Sequence, residues 1–192
     1  MKGYRNMDRI LYIVEGEIEE RFFRFLIEED YIYPGKIKVF NLMQARLRET
    51  NHIFTKKVNK IFAVVDTDIA KKSNIETLEY NISMLKHFCP KHVFLLIQSK
   101  SFEDELKYML SCKSMQAVWA HFQLRHHSTG DVKAFLTQSV HYSEHITTTN
   151  LQRYCTHQSG FINKLSPVSQ ALCVSIAPCL LRKRITMKNS HQ

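Results

Sequence analysis

The sequence predicts an α/β protein: a mostly parallel, doubly wound sheet with helices on both faces, followed by a basic helical extension. Three observations lead there. Four short apolar, β-branched runs recur along the first 98 residues, and each gives way to a turn and then to a more polar segment. The intervening segments carry mostly helical spacing, and alternation of this kind needs crossover connections, which make neighbouring strands parallel. The composition of the 192 residues, 44% hydrophobic and 23% charged with only 5 Gly and 4 Pro, is that of a globular chain and excludes collagen-like or wholly disordered classes.

Ile10–Val14 (ILYIV) is apolar without alternation, as expected of a strand buried on both faces. Gly16 breaks it. Residues 17–29 then place Phe22, Phe23, Phe25, Leu26 and Ile27 at helical spacing, with acids in the first turn, where the helix dipole favours them. Residues 35–41 (GKIKVFN) alternate as a second strand. Residues 42–58 read as an irregular helix broken near Thr50 and Asn51. Lys60–Val65 (KIFAVV) is a third buried strand, stopped by Asp66, Thr67 and Asp68. Residues 74–88 form an amphipathic helix with Leu78, Ile82 and Leu85 on one face, closed by Cys89 and Pro90. Residues 92–98 (HVFLLIQ) are a fourth strand and residues 102–112 a further helix. Three more helices are expected at 114–124, 131–139 and 144–155, with a polar turn at 126–130. Trp119 and Phe122 belong to a helical core. The resulting division is a sheet domain over 8–112, a helical basic extension over 113–165, and a poorly ordered basic tail over 166–192.

Charge is unevenly distributed. Lys and Arg number 27 against 18 Asp and Glu, a net charge of +9. Residues 1–110 hold 18 basic and 16 acidic side chains, whereas residues 111–192 hold 9 basic ones against only Asp131 and Glu144, together with seven of the ten His. A carboxylate-rich front joined to a cationic back suits a metal-dependent site beside a phosphate-gripping face, and the partner expected is nucleic acid. The plainer reading of the back is a solvated basic surface. Five cysteines without CxxC spacing support neither a disulfide framework nor a zinc ribbon. The first nine residues are polar and only five apolar residues follow, too few for a signal-peptide core. The run at 171–181 falls short of the ~20 residues a membrane span needs. A cytoplasmic, reduced protein with no membrane partner is expected.

In an open parallel sheet the functional rim lies at the carboxyl ends of the strands. Three acidic clusters fall at such ends: Glu15 after the first strand, Asp66 and Asp68 after the third, and Glu103, Asp104 and Glu105 just beyond the fourth. Two carboxylates about 4 Å apart at an effective dielectric near 20 repel by roughly 4 kcal/mol. A fold that gathers several must protonate some or supply a cation. Oxygen-only ligation selects Mg²⁺ or Mn²⁺ over zinc, and such an ion beside a basic surface points to phosphate-ester chemistry. Taken singly, Asp66 and Asp68 also read as caps and Glu15 as a solvated end.

The segment Ile13-Val14-Glu15-Gly16-Glu17-Ile18-Glu19, followed about fifty residues later by Val64-Val65-Asp66-Thr67-Asp68, resembles the Toprim domain shared by topoisomerases, primases, small ribonucleases and OLD-type nucleases. The resemblance implies a compact Rossmann-like domain in which Glu15 is a metal ligand or general acid/base, while Asp66 and Asp68 hold the divalent ion. Glu19 matches the EGxxE variant of the OLD-type nucleases. Ser101-Phe102-Glu103-Asp104-Glu105-Leu106 resembles the SFExE-type segment of small standalone Toprim proteins in bacterial defence loci, including RloB-like and retron-linked ones, which makes Glu103 a further acidic position. The likeness covers residues 10–112. No glycine follows the DxD at the topoisomerase spacing, and no nucleophilic-tyrosine context or zinc ribbon is present, so hydrolysis is favoured over strand passage or priming.

In the basic half, Lys133 sits near the start of an expected helix, where it can reach a phosphate or a transition-state oxyanion. Lys100, Arg125, His126, His127 and Lys133 are the expected nucleic-acid contacts. His141 and His145 share a helix face at i and i+4, but without a third ligand they read as surface histidines. No GxxxxGK[ST] phosphate loop occurs, so an ATPase of the kind OLD-type nucleases carry would be a separate regulatory partner. The expectation is therefore a Mg²⁺- or Mn²⁺-dependent Toprim endonuclease acting on RNA such as tRNA, or on DNA, as a toxic effector of antiphage defence, with a homodimer compatible. The alternatives are a catalytically idle Toprim-like module that binds nucleic acid or a partner, and a phosphotransfer domain for a small phosphorylated ligand.

Overall fold

The computed structural model describes residues 9–48, 58–68, 71–98, 100–123, 145–156 and 160–174. Four strands, β1 (Ile10–Val14), β2 (Gly35–Val39), β3 (Lys60–Val65) and β4 (Val93–Ile97), form one all-parallel sheet in the order β2-β1-β3-β4. The register pairs Ile10 with Gly35 on one side and with Lys60 on the other, and Ile61 with Val93. The fold is α/β and Rossmann-like. Its strand order reverses direction between β1 and β3, which opens a crevice beyond the carboxyl ends of those two strands.

The period of two along each strand divides the core. Ile10, Tyr12, Val14, Phe62, Val64 and Leu96 face one side, against Phe22, Phe23, Phe25 and Leu26 of α1 (Glu17–Glu28) and Phe102, Leu106 and Met109 of α3 (Phe102–Met109). Leu11, Ile13, Ile61, Ala63, Val65, Leu95 and Ile97 face the other, against Leu78, Ile82 and Leu85 of α2 (Lys72–Phe88). α1 leads from β1 outward to β2 and α2 leads from β3 the opposite way to β4. Right-handed crossovers in opposite directions put the two helices on opposite faces.

The stretch from 42 onward is not helical in its described part. Residues 42–44 form a turn, and 45–48 continue without helix; residues 49–57 lie outside the described residues. The reason is two asparagines. The Asn41 side-chain carbonyl accepts from the amides of Met43 (2.9 Å) and Gln44 (3.0 Å), a local turn that competes with helix. Fully buried Asn81 on α2 donates to the carbonyls of Leu42 (2.7 Å) and Ala45 (2.8 Å) and accepts from the amide of Leu47 (2.7 Å). The segment therefore satisfies its backbone through a side chain of α2, and its apolar residues Leu42, Met43 and Leu47 are buried beside it.

Beyond α3, α4 (Met115–His121) is capped by Ser114, whose hydroxyl accepts from the Ala117 amide. The expected helix over 144–155 is reduced to α5 (Thr148–Leu151), followed by turns, with residue 144 outside the described part. Trp119, Phe122, Ile146, Leu151 and Tyr154 join the core on the α1 side, as expected for the first two. A 3-10 turn (Ile162–Lys164) at the end of the expected extension and α6 (Pro167–Gln170), within the stretch read as a poorly ordered tail, pack on the α2 side, and residues 172–174 lie along β4. Leu95 donates to the carbonyl of Leu172 (2.8 Å) and accepts from the amide of Val174 (2.9 Å), a parallel bridge that covers part of the β4 edge. Glu79 of α2 anchors this segment by accepting from the Ser166 amide and from the hydroxyls of Ser166 and Ser169. The helix expected at 131–139 and residues 175–192 lie outside the described residues. Among the described residues no helix is long and apolar enough to cross a membrane.

Asn81→Ala should destabilise the protein by about 2–3 kcal/mol, because a buried carbonyl, a part-buried carbonyl and a buried amide lose their partner. Urea unfolding monitored by circular dichroism measures this; a loss below about 0.5 kcal/mol would show that the 42–47 turn is held by other means.

Candidate functional site

The crevice at the β1/β3 reversal holds a cavity of about 400 Å³ lined by Glu15, Glu17, Glu19, Asp66, Asp68 and Glu103, together with Gly16, Ile18, Ser101 and Phe102. All five carboxylates expected as ligands thus reach one cavity, from three separate strand ends. Parallel strands make this possible, since their carboxyl termini all emerge on the same rim.

Each side chain has a local reason for its place. Glu15 is the first residue after β1. Its Oε2 accepts from the amide of Asp66 (3.2 Å), which ties the end of β1 to the end of β3, and its Oε1 accepts from Asn41 Nδ2. The turn at Met43 and Gln44 fixes the Asn41 carbonyl, which leaves its amide group turned toward Glu15. Gly16 is extended (φ −143°, ψ −177°), and a Cβ there would approach Glu19 Oε2 to 3.2 Å. Glycine therefore allows Glu19, only 5% exposed, to fold back over the start of α1. Asp66 is 8% exposed, and its Oδ1 accepts no hydrogen bond among the described residues. Thr67 donates from Oγ1 to the Gln98 carbonyl (3.1 Å) and accepts from the Lys100 amide (2.9 Å), while the Lys100 carbonyl accepts from the amides of Thr67 (2.8 Å) and Asp68 (3.1 Å). Lys100 adopts φ 69°, a left-handed conformation that costs a lysine energy and is held by this zipper between the loops after β3 and β4. Ser101 caps α3 and starts the helix that carries Glu103.

The electrostatics follow from burial and crowding. Burial pushes the Asp66 carboxyl up to about 9, and Glu19, Glu15, Asp68 and Glu103 each push the same way. Burial raises Glu15 to about 7, with Glu19 and Asp68 adding to it while the Asp66 amide and Asn41 oppose it. Glu19 is also raised, first by burial and then by Glu103 and Asp68, against the amides of Glu19 and Gly16. The five carboxylates thus feel one another across the cavity. Among the described residues no cationic side chain lines it.

The donor set fits a hard divalent cation in its chemistry: oxygen only, anionic, with one buried carboxylate oxygen lacking a partner among the described residues. The side chains as they stand are not closed around an ion. Among the described residues no group of three His, Cys, Asp or Glu is arranged to hold one. Each Glu15 oxygen accepts one hydrogen bond, from Asn41 and from the Asp66 amide.

Several supporting groups have no strong sequence signal. Asn41 is one; the only hint is an asparagine directly after a strand. Gln98, fully buried after β4, donates to the Tyr154 hydroxyl (2.7 Å), and fully buried Glu105 accepts from the Cys155 amide (2.6 Å). These bonds fasten the 145–156 segment beneath the loops that carry Asp66 and Glu103. Lys100 is at the rim with its side chain exposed. Lys133, Arg125, His126, His127 and His141 lie outside the described residues; His145 packs its ring 5.1 Å from that of Phe122. Cys89, Cys112, Cys155 and Cys173 are free thiols. Comparison with known proteins finds no matching family model, curated protein or solved structure.

A carboxyl whose folded pKa is raised stabilises the fold below its unfolded pKa, near 4, and that contribution is lost as pH rises through the folded value. Without divalent ions, unfolding free energy should therefore fall from pH 5 through about 7 (Glu15) and onward to about 9 (Asp66). Urea titrations in EDTA across this range test it, with Asp66→Asn expected to flatten the upper part of the decline. An identical profile in the variant would contradict the assignment.

Proposed function

We propose that the protein is a Mg²⁺- or Mn²⁺-dependent hydrolase of phosphodiester bonds in nucleic acid, built on a Toprim-like site. The observation that carries the reading is Asp66: a carboxylate 8% exposed, with an oxygen unpartnered among the described residues and four other carboxylates pushing on it, at the crevice where an α/β sheet binds ligands. Burying such a charge without compensation is costly; without an ion a proton offsets it, and a divalent cation is the compensation that would keep the carboxylate ionised. The EG…DxD pattern of Glu15, Gly16, Asp66 and Asp68 supports the same reading through its likeness to Toprim nucleases.

In this reading Asp66 and Asp68 hold the ion, with Glu19 and Glu103 completing its surroundings. When bound, the ion supplies Lewis acidity toward a phosphoryl oxygen and lowers the pKa of water. Glu15, at the end of β1 on the same crevice, would take the proton of the attacking water and return it to the leaving oxygen. Each Glu15 oxygen has two lone pairs, so the bonds from Asn41 and the Asp66 amide orient the carboxylate and leave acceptor capacity. Asn41 and the amide of Asp66 are positioning groups. Regulation by a partner ATPase and a role as a defence effector rest on the family resemblance alone and belong to the proposal.

A second reading has one observation in its favour: among the described residues no three side chains are arranged for an ion as they stand. It makes the protein a binding module with an idle cleft. The two separate on one experiment, incubation of total tRNA and of plasmid with the protein, with and without Mn²⁺. Hydrolysis should require the ion. Glu15→Ala should lower the rate about 10²–10⁴-fold, as expected for loss of a general base, and Asp66→Ala should abolish cleavage. Mn²⁺ should also raise the melting temperature of the wild type at pH 8 and not that of Asp66→Asn. Binding without turnover, in a protein that melts at the same temperature with and without Mn²⁺, would establish the idle module instead.

A further inference from the structure

The carboxyl end of α3 and the turn after α5 meet in a second cavity, of about 330 Å³, lined by Lys107, Tyr108, Ser111, Cys112 and Arg153. Its chemistry is opposite to that of the acidic crevice: two cations, a hydroxyl and an exposed aromatic ring. None of these residues carries a motif in the sequence.

The two cationic side chains are held in place from different segments. Arg153 Nη1 donates to Ser111 Oγ. Asn150, in α5, donates to the Met109 carbonyl at the end of α3 (3.3 Å), and Leu151 and Tyr154 on either side of Arg153 are fully buried. The Arg153 backbone is thus anchored while its guanidinium stays at the surface. Ser111 adopts φ 56°, a left-handed conformation better suited to glycine, yet the position carries the hydroxyl that meets the guanidinium. Cations are also favoured at helix carboxyl ends for the dipole alone. Here the terminal carbonyls are already used: that of Tyr108 accepts from the Ser111 amide (3.1 Å) and that of Lys107 from the Cys112 amide (2.9 Å). Lys107 pairs with Asp104 at 2.8 Å, with side chains 34% and 29% exposed, a solvent-screened pair that an incoming anion can displace at little cost. Tyr108 is 39% exposed.

We propose that this cavity binds an unpaired segment of nucleic acid, with a backbone phosphate between Lys107 and Arg153 and a base against the Tyr108 ring. Cations that grip the backbone beside an exposed aromatic are the combination that recognises single strands. Placement agrees with this. Glu103 lines the acidic crevice, and Lys107 follows it by one turn on the same face of α3, a rise of about 6 Å. A strand with one phosphate at the crevice can therefore bring a neighbouring phosphate of the same backbone toward Lys107 and Arg153. The inference extends the hydrolytic reading and rests on it for that direction of travel; the pocket's own chemistry does not.

The test is fluorescence anisotropy of the full chain in EDTA, across a salt series, with a labelled 12-nucleotide RNA, the same sequence as DNA, and the corresponding duplex. Both single strands should bind more tightly than the duplex, and the tighter of the two identifies the natural source of the strand. Tyr108→Ala should weaken single-strand binding about tenfold without changing the slope of log affinity against log salt. Arg153→Ala and Lys107→Ala should weaken it and reduce that slope by about 1 for each phosphate left without its cation. All three are surface changes, and unaltered melting curves check their folding. Wild-type affinity and slope in all three, or a duplex preference untouched by Tyr108→Ala, would overturn the proposal. Failure of the hydrolytic reading looks different: strand binding that still depends on Arg153 in a protein that neither cleaves nor is stabilised by Mn²⁺. Cleavage that persists with binding indifferent to all three substitutions would sink the pocket and spare the nuclease.

Discussion

Six carboxylates from three strand ends line one partly buried crevice, and the energy of keeping them there is the constraint on which the rest of the structure turns. Parallel strands deliver their carboxyl ends to one rim, and the reversal of strand order between β1 and β3 opens a gap there. The protein offsets part of the repulsion locally. Asn41 and the Asp66 amide donate to Glu15, and the missing side chain at Gly16 gives Glu19 room to approach backbone amides. Nothing among the described residues offsets the buried Oδ1 of Asp66. The raised carboxyl pKa values are the signature of that imbalance.

Remote parts of the chain are fastened to this rim through buried polar links. The loops after β3 and β4 are joined by the exchange between Thr67 and Lys100. Gln98 reaches Tyr154, and Glu105 reaches the amide of Cys155, so residues 145–156 are held beneath the crevice. Phe22, Phe23 and Tyr154 form an aromatic cluster around the same point, with ring centroids 5.5–6.3 Å apart. Burial of hydrogen-bonded polar groups in an apolar surround makes each link costly to break, which fixes the geometry of the loops above. On the other face, Glu79 and the bridge at Leu95 tie residues 166–174 to α2 and β4.

Much of the fold was legible in the residues themselves. Continuous apolar runs such as Ile10–Val14 and Lys60–Val65 belong to strands covered on both faces, and the phenylalanines of α1 keep helical spacing. The convergence of Glu15, Asp66, Asp68 and Glu103 was legible too, because strand ends and parallel topology suffice to bring them together. What escaped depends on single long-range contacts. Residues 42–48 carry helix-forming side chains, yet Asn81, 34 to 39 residues further along the chain, satisfies their backbone in another way. Residues 166–174 lack periodicity because Glu79 and the edge of β4 hold them, and neither leaves a local pattern. Asn41, Gln98 and Tyr154 support the crevice across 26 to 56 residues of sequence, beyond the reach of spacing arguments.

The central claim is that these acids exist to surround a hard cation. Diffraction at the manganese edge from crystals soaked in MnCl₂ tests it most directly. The account predicts an anomalous peak in the crevice, in contact with Asp66 and Asp68, with Asp66 Oδ1 as a ligand. Manganese bound elsewhere, with the crevice carboxylates still repelling one another around water, would contradict it.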